Sequence, residues 1–213
     1  MALEPDLVQE VLGAWVLAQR REPGEVLVPL GEVERALLAQ MPWPLRRGEW
    51  LAGRRVAKRL MQHALGLDPL RTQVLPLESG APFVSFDGVQ RTDLVLNLSH
   101  TKGWAVAAVA NGRVGIDVCD DVDGDRIARI ARRVFSDGEA EACGAFQSRE
   151  TQAAVWALKE AGLKLFIGGV FDPGARAIRV ASLTPPRVVA SPPMRVALLR
   201  LPDAAVAVSR DAS

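Results

Sequence analysis

Three short stretches carry residue types that could work together on a charged substrate: Asn97-Leu-Ser-His-Thr101, Val114-Gly-Ile-Asp-Val118 and Trp156-Ala-Leu-Lys-Glu-Ala-Gly-Leu-Lys164. In a helix, residues four apart share a face, so Trp156, Glu160 and Lys164 line up, with Lys159 one position round. A carboxylate and an ammonium on one face make either a surface ion pair, worth about 0.3–0.5 kcal/mol, or part of a site. Asp117 interrupts an apolar strand, and a half-buried carboxylate there needs a metal, a cation or a backbone cap. A strand-end cap and a functional role fit this residue equally well. Ser99 and His100 are adjacent, so on a strand they point to opposite faces. That argues against a nucleophilic pair. A phosphate contact helped by backbone N–H groups suits them better.

The composition limits what these residues can serve. The chain has 213 residues, 49% hydrophobic and 24% charged. That suffices for one full core or two small lobes and does not fit a disordered chain. No window approaches the roughly 18 apolar residues of a membrane span. The net charge of +1 gives no broad field for nucleic acid or an anionic membrane. Cys119 and Cys143, with His63 and His100, make neither a disulfide framework nor a typical zinc site. A reducing cytoplasm is the expected compartment. The first ten residues carry Glu4, Asp6 and Glu10 and no basic cluster, unlike a secretory signal. Lysine is scarce: only Lys58, Lys102, Lys159 and Lys164 stand among 26 basic residues.

The elements that must position these residues can be read from periodicity. The first 44 residues read as irregular, punctuated by proline, with a helix over about 31–40. A longer helix is expected over 46–65, apolar at Trp50, Leu51, Ala57, Leu60 and Met61 and stopped by Gly66. Its other face is basic. Strands are expected at 94–98, 104–110 and 113–118, and Asn111-Gly112 predicts a hairpin between the last two, hence an antiparallel meander. Helices follow at 125–134 and 148–166, with capping-box spacing at Ser136 and Glu139. The tail returns to strands near 176–183, 186–190, 195–200 and 204–209. This order is α+β.

The set Asn97-Leu-Ser-His, Gly115-Ile-Asp117 and Trp156-x-x-Lys-Glu-Ala-x-x-Lys164 resembles the 4'-phosphopantetheinyl transferases of the surfactin-synthetase-activating type. Trp50-Leu-Ala-Gly-Arg54 adds to the likeness, which covers roughly residues 45–170. The resemblance implies two pseudo-twofold-related lobes, each a small, mainly antiparallel sheet packed with a long helix. Coenzyme A would lie between them, and the halves, 1–110 and 111–213, would meet near 110. It implies transfer of phosphopantetheine from coenzyme A to a serine of an apo acyl or peptidyl carrier protein, with release of adenosine 3',5'-bisphosphate. A role in secondary metabolism and a monomeric state go with it. By resemblance, Asp117 and Glu160 hold magnesium, Glu160 is also the candidate base, and Lys164 holds a pyrophosphate oxygen. Ser99, His100 and Thr101 would contact the coenzyme A phosphates. Arg54 and Lys58 could reach the 3'-phosphate, or belong to a solvated basic face. All four lysines fall near these motifs. Arg126, Arg129, Arg132 and Arg133 are candidates for docking an acidic carrier, or ordinary solvated surface.

Two positions depart from the family pattern. Cys119 stands where many members have a second acid, and a thiol is a poor magnesium ligand. Asp121 is the available substitute if the strand runs that far. Ala81, in Gly80-Ala-Pro82, replaces a lysine that helps hold coenzyme A. These departures motivate an alternative: a catalytically weak member that binds a carrier or synthase.

Overall fold

The structure is a computed structural model, described for residues 1–21, 28–136, 138–139, 148–166 and 177–212, without the side chain of Arg132. The chain divides into two compact units, Pro5–Gly112 and Arg113–Ser213 with Met1–Glu4. Both combine helices with antiparallel sheets, so the fold is α+β.

The first unit contains β1 (Gln9–Val11), β2 (Ala14–Arg20), α1 (Glu32–Ala39), α2 (Pro44–Leu65), β3 (Thr72–Pro76), β4 (Pro82–Phe86), β5 (Val89–Gln90), β6 (Val95–His100) and β7 (Trp104–Ala110). One sheet has the order β1-β2-β7-β6 and a smaller one β3-β4-β5, antiparallel throughout. Pro44 opens α2, where a missing N–H costs nothing. Gly66 closes it at φ 66°, with its N–H on the Gln62 carbonyl. The face Val56, Ala57, Leu60 and Met61 is buried with Leu17, Ala107 and Val109 of the larger sheet.

The second unit contains β8 (Val114–Asp120), a 3₁₀ turn (Asp121–Asp123), α3 (Gly124–Val134), α4 (Arg149–Phe166), β9 (Arg179–Leu183), β10 (Pro186–Val189), β11 (Met194–Leu201) and β12 (Ala204–Asp211). Its main sheet runs β11-β12-β8, beside the β9–β10 hairpin. Val155, Leu158 and Ala161 of α4 share a core with Ala205 and Ala207 of β12 and with Ile127 and Ala131 of α3.

Three expectations are corrected. Residues 9–11 and 14–20 are strands rather than irregular chain. Ala14–Arg20 is buried on both faces for most of its length, so it lacks the alternation that marks a half-exposed strand. Second, Asn111-Gly112 does not join a hairpin. Gly112 does take a positive φ of 90°, but β7 pairs with β2 and β6, and β8 pairs with β12. The turn is the passage from one unit to the other. Third, β8 ends at Asp120, so Asp121 does not continue the strand that carries Asp117.

Candidate active site

The chemistry-bearing residues of the second unit meet where α4 packs on β8. Their approach depends on Gly115. A Cβ there would lie 2.0 Å from the Ala161 carbonyl oxygen and 2.5 Å from Ser209 Oγ. Ser209 Oγ instead donates to that carbonyl at 2.7 Å. Glycine is therefore required two residues before Asp117 so that the helix can lie this close.

Asp117 is buried, with 5% of its surface exposed. Lys164 Nζ donates to Asp117 Oδ1 at 2.7 Å and to the Ile116 carbonyl at 3.1 Å. Glu160 lies one helical turn before Lys164. Burial pushes its carboxyl up to about 7, the Asp117 charge pushes the same way, and Lys164 opposes both. The pair thus holds more negative charge than one ammonium offsets.

That surplus is what a divalent cation would relieve. Asp117 and Glu160 offer hard oxygen donors, which suit magnesium, an ion that commonly keeps several waters. Two carboxylates from the protein fit this ion. Among the described residues no group of three or more His, Cys, Asp or Glu could hold a metal. Cys119 does not extend the set. It is buried among Ile127, Ala131 and Val134. Burial and then the nearby aspartates, Asp117 foremost, push its thiol far above the usual range. Asp121 is engaged elsewhere: Arg200 Nη1 and Nη2 donate to its two oxygens at 3.0 and 2.6 Å.

The first unit holds a separate cleft of about 320 Å³, lined by Arg46, Trp50, Arg54, Gly80, Pro82 and His100 among others. Arg54 is 9% exposed. Its Nη2 donates to the Val74 carbonyl at 3.2 Å, and its guanidinium lies 3.9 Å from the centre of the Trp50 ring. Its Nε has no hydrogen-bond partner. Burial lowers its pKa to about 10, partly offset by Glu34. A buried guanidinium with an unfilled donor on a cleft favours an anion there. Arg46 and Trp50 belong to this cleft through the first turns of α2. The sequence marked Arg46 only as part of a basic face, and Trp50 by its apolar periodicity and its place in the family likeness.

The other residues fall out differently. His100 is exposed and Ser99 half-buried at the end of β6. Thr101 Oγ1 accepts the N–H groups of Gly103 (3.2 Å) and Trp104 (3.0 Å), so its oxygen braces the β6–β7 turn. Lys58 is corrected from a ligand contact to an internal cation. Its side chain is 2% exposed, and its ammonium donates to Glu34 Oε2 at 2.6 Å and to the carbonyls of Pro29 and Pro69. Lys159 is likewise internal, on Glu139. Of the four lysines, only Lys102 is exposed, on the β6–β7 turn. Arg126, Arg129 and Arg133 lie exposed along α3.

Comparison with known proteins finds a likeness over part of the chain. Residues 113–190 match the 4'-phosphopantetheinyl transferase superfamily, a span that includes Asp117, Glu160 and Lys164. The chain is 35% identical over 138 residues to the 4'-phosphopantetheinyl transferase AcpT of Salmonella typhi, which is 63% of this chain and 66% of that protein. It is 34% identical to AcpT of Salmonella typhimurium over the same shares. The chain thus spans just under two thirds of the length of these curated relatives. No described helix is long and apolar enough to cross a membrane.

Proposed function

We propose that this protein is a 4'-phosphopantetheinyl transferase, of the surfactin-synthetase-activating type, that modifies a serine of an apo acyl or peptidyl carrier protein. The observation that carries the proposal is the Asp117–Glu160–Lys164 cluster, inside the part of the chain that matches the superfamily. In the reaction, the carrier serine oxygen attacks the phosphorus nearer the pantetheine. The pyrophosphate P–O bond breaks and adenosine 3',5'-bisphosphate leaves. Glu160 takes the serine proton as general base. Lys164 donates to a pyrophosphate oxygen. Asp117 and Glu160 would hold magnesium, which would supply charge neutralisation at that pyrophosphate. Arg54 donates to the 3'-phosphate in the cleft of the first unit, with His100 on its rim. The arginines of α3 fit an acidic carrier surface.

The test is intact-mass analysis after incubation with coenzyme A, magnesium and several apo carriers. A mass gain of one phosphopantetheine on a carrier supports the reading. No gain on any carrier, where a control transferase succeeds, refutes it. Cys119 and Ala81 favour a second reading, a weak enzyme that mainly binds carriers. Calorimetry separates the two, because tight magnesium-dependent binding of coenzyme A contradicts the second.

Two mutational outcomes follow from the cleft. Arg54→Ala removes a charged donor, worth about 1.5–3 kcal/mol, so KM for coenzyme A should rise roughly 10- to 100-fold. Coenzyme A lacking the 3'-phosphate should lose little further, and an equal penalty on both donors would count against the assigned contact. Ala81→Lys puts an exposed ammonium between two cleft residues, Gly80 and Pro82. At up to about 1 kcal/mol it should tighten coenzyme A binding about twofold to fivefold, and the gain should fade at high salt. Calorimetry at two salt concentrations checks this.

A further inference from the structure

We infer that Glu139 is a positioning residue for Glu160 and Lys164, and that the first unit carries the same latch, without the chemistry, at Glu34. The inference rests on the transferase reading above. In the second unit, Glu139 Oε2 accepts the Ser136 N–H at 2.9 Å and Oε1 accepts the Val180 N–H at 2.7 Å. Lys159 Nζ donates to both oxygens, at 3.1 and 2.9 Å, and to the Ile178 carbonyl at 2.6 Å. Side-chain exposures are 0% and 1%. In the first unit, Glu34 Oε2 accepts the Gly31 N–H at 2.9 Å and Lys58 at 2.6 Å, and Oε1 accepts the Val74 N–H at 2.9 Å. Each latch joins the backbone N–H three residues before the glutamate, a lysine of the long helix and a strand of the small sheet.

The two latches are counterparts because the sheets around them repeat. Ala107 of β7 pairs with Leu17 and Leu98. Ala207 of β12 pairs with Asp117 and Leu198, each partner one hundred positions on. On this register Leu17 stands where Asp117 stands. Aligning Lys58 with Lys159 puts Arg59 at the place of Glu160 and His63 at that of Lys164. The first unit therefore has the latch and no carboxylate pair.

The latch in the second unit bears on the site because Lys159 immediately precedes Glu160. Its ammonium is bound on three sides, which fixes the rotation of α4 about its axis. Gly115 leaves no slack on the strand side. A small rotation of α4 would change the reach of Glu160 and Lys164 to Asp117.

The repeat supplies its own control. Glu139→Gln and Glu34→Gln each leave a buried lysine uncompensated, and both should lower Tm. Magnesium titrated by calorimetry with coenzyme A present should distinguish them. Glu139→Gln should weaken magnesium at least tenfold and lower kcat more than it changes KM for the carrier. Glu34→Gln should leave magnesium affinity within twofold. If Glu139→Gln does not fold, Glu139→Gln/Lys159→Met, which leaves no unpaired buried charge, should recover Tm but not magnesium affinity. Equal magnesium affinity in the wild type and the Glu139 variants, or equal losses in both latch variants, overturns the inference while leaving the transferase reading intact. A wild type that neither binds magnesium nor transfers overturns both.

Discussion

Glu160→Gln should lose transfer activity and, in the metal-free protein, gain stability. The loss follows from the assigned roles, since a general base alone contributes roughly 10²- to 10⁴-fold and a charged metal ligand goes with it. The gain follows from linkage. The Glu160 carboxyl sits near 7 in the folded chain against an ordinary value of 4.5. The folded state therefore binds this proton more tightly than the unfolded state does. Its contribution favours folding at low pH, declines as pH rises from about 4.5 through 7, and stays unfavourable above that. The cost at pH 8, discounted for the partial exposure of Glu160, is on the order of 2 kcal/mol. Removing it should raise Tm by roughly 4–8 °C. Magnesium should raise the Tm of the wild type and do much less for the variant. Near-normal turnover would refute the catalytic role, and a lower metal-free Tm at pH 8 would refute the charge argument.

Gly115→Ala should be the most damaging single methyl in the second unit. Its Cβ would meet the Ala161 carbonyl oxygen at 2.0 Å. That atom is helix backbone, so no rotamer change relieves the contact. Either α4 retreats from β8 or the strand bends. Overpacking of this kind costs about 1–3 kcal/mol when side chains can yield, and backbone against backbone lies at or above the upper end. The displacement also separates Asp117 from Glu160 and Lys164, and a misplacement of about 1 Å can cost about 10²-fold in rate. Thermal melts and kcat/KM should both report it. Gly48→Ala in α2 is the comparison: nothing lies within 4 Å of its Cβ, and helix propensity predicts about 1 kcal/mol of stabilisation. If both variants melt alike, the close approach at Gly115 is not what holds the helix.

Asp117, Glu160 and Lys164 stood out in the sequence because their signal is local, a carboxylate within an apolar strand and two charges one helical turn apart, but that signal left a cap and a surface ion pair equally open, and the packing of α4 on β8 is what brings them together. The depth of a basic residue was not legible in the same way. Lys58 lies in a run with Arg54, Arg55 and Arg59, and only a partner 24 positions away, Glu34, makes it internal. The same blindness affected pairing. Asn111-Gly112 has the turn chemistry of a hairpin, yet the strand after it pairs with β12, some ninety residues on. Local turn preference cannot rank a near partner against a distant one. β2 escaped because burial on both faces erases the period on which strand reading depends. The N-terminal role of Glu139 was visible as capping-box spacing, but its bond to Lys159 was not, since nothing in a capping motif names a third partner.

The first residues of the chain have a consequence for self-association. Among the described strands β11 lies at the edge of its sheet, and Arg200 near its end turns its N–H and carbonyl away from β12 toward Met1 and Leu3, at 3.0 and 2.9 Å. Ala2 makes a parallel bridge there. An uncovered edge is a template for another chain's strand, and a short covering segment blunts it. Deleting Met1–Glu4 should therefore raise the fraction of dimers and larger species on size-exclusion chromatography at high concentration. An unchanged elution profile would mean that this edge is protected by other means, such as the charge of Arg195 and Arg200 themselves.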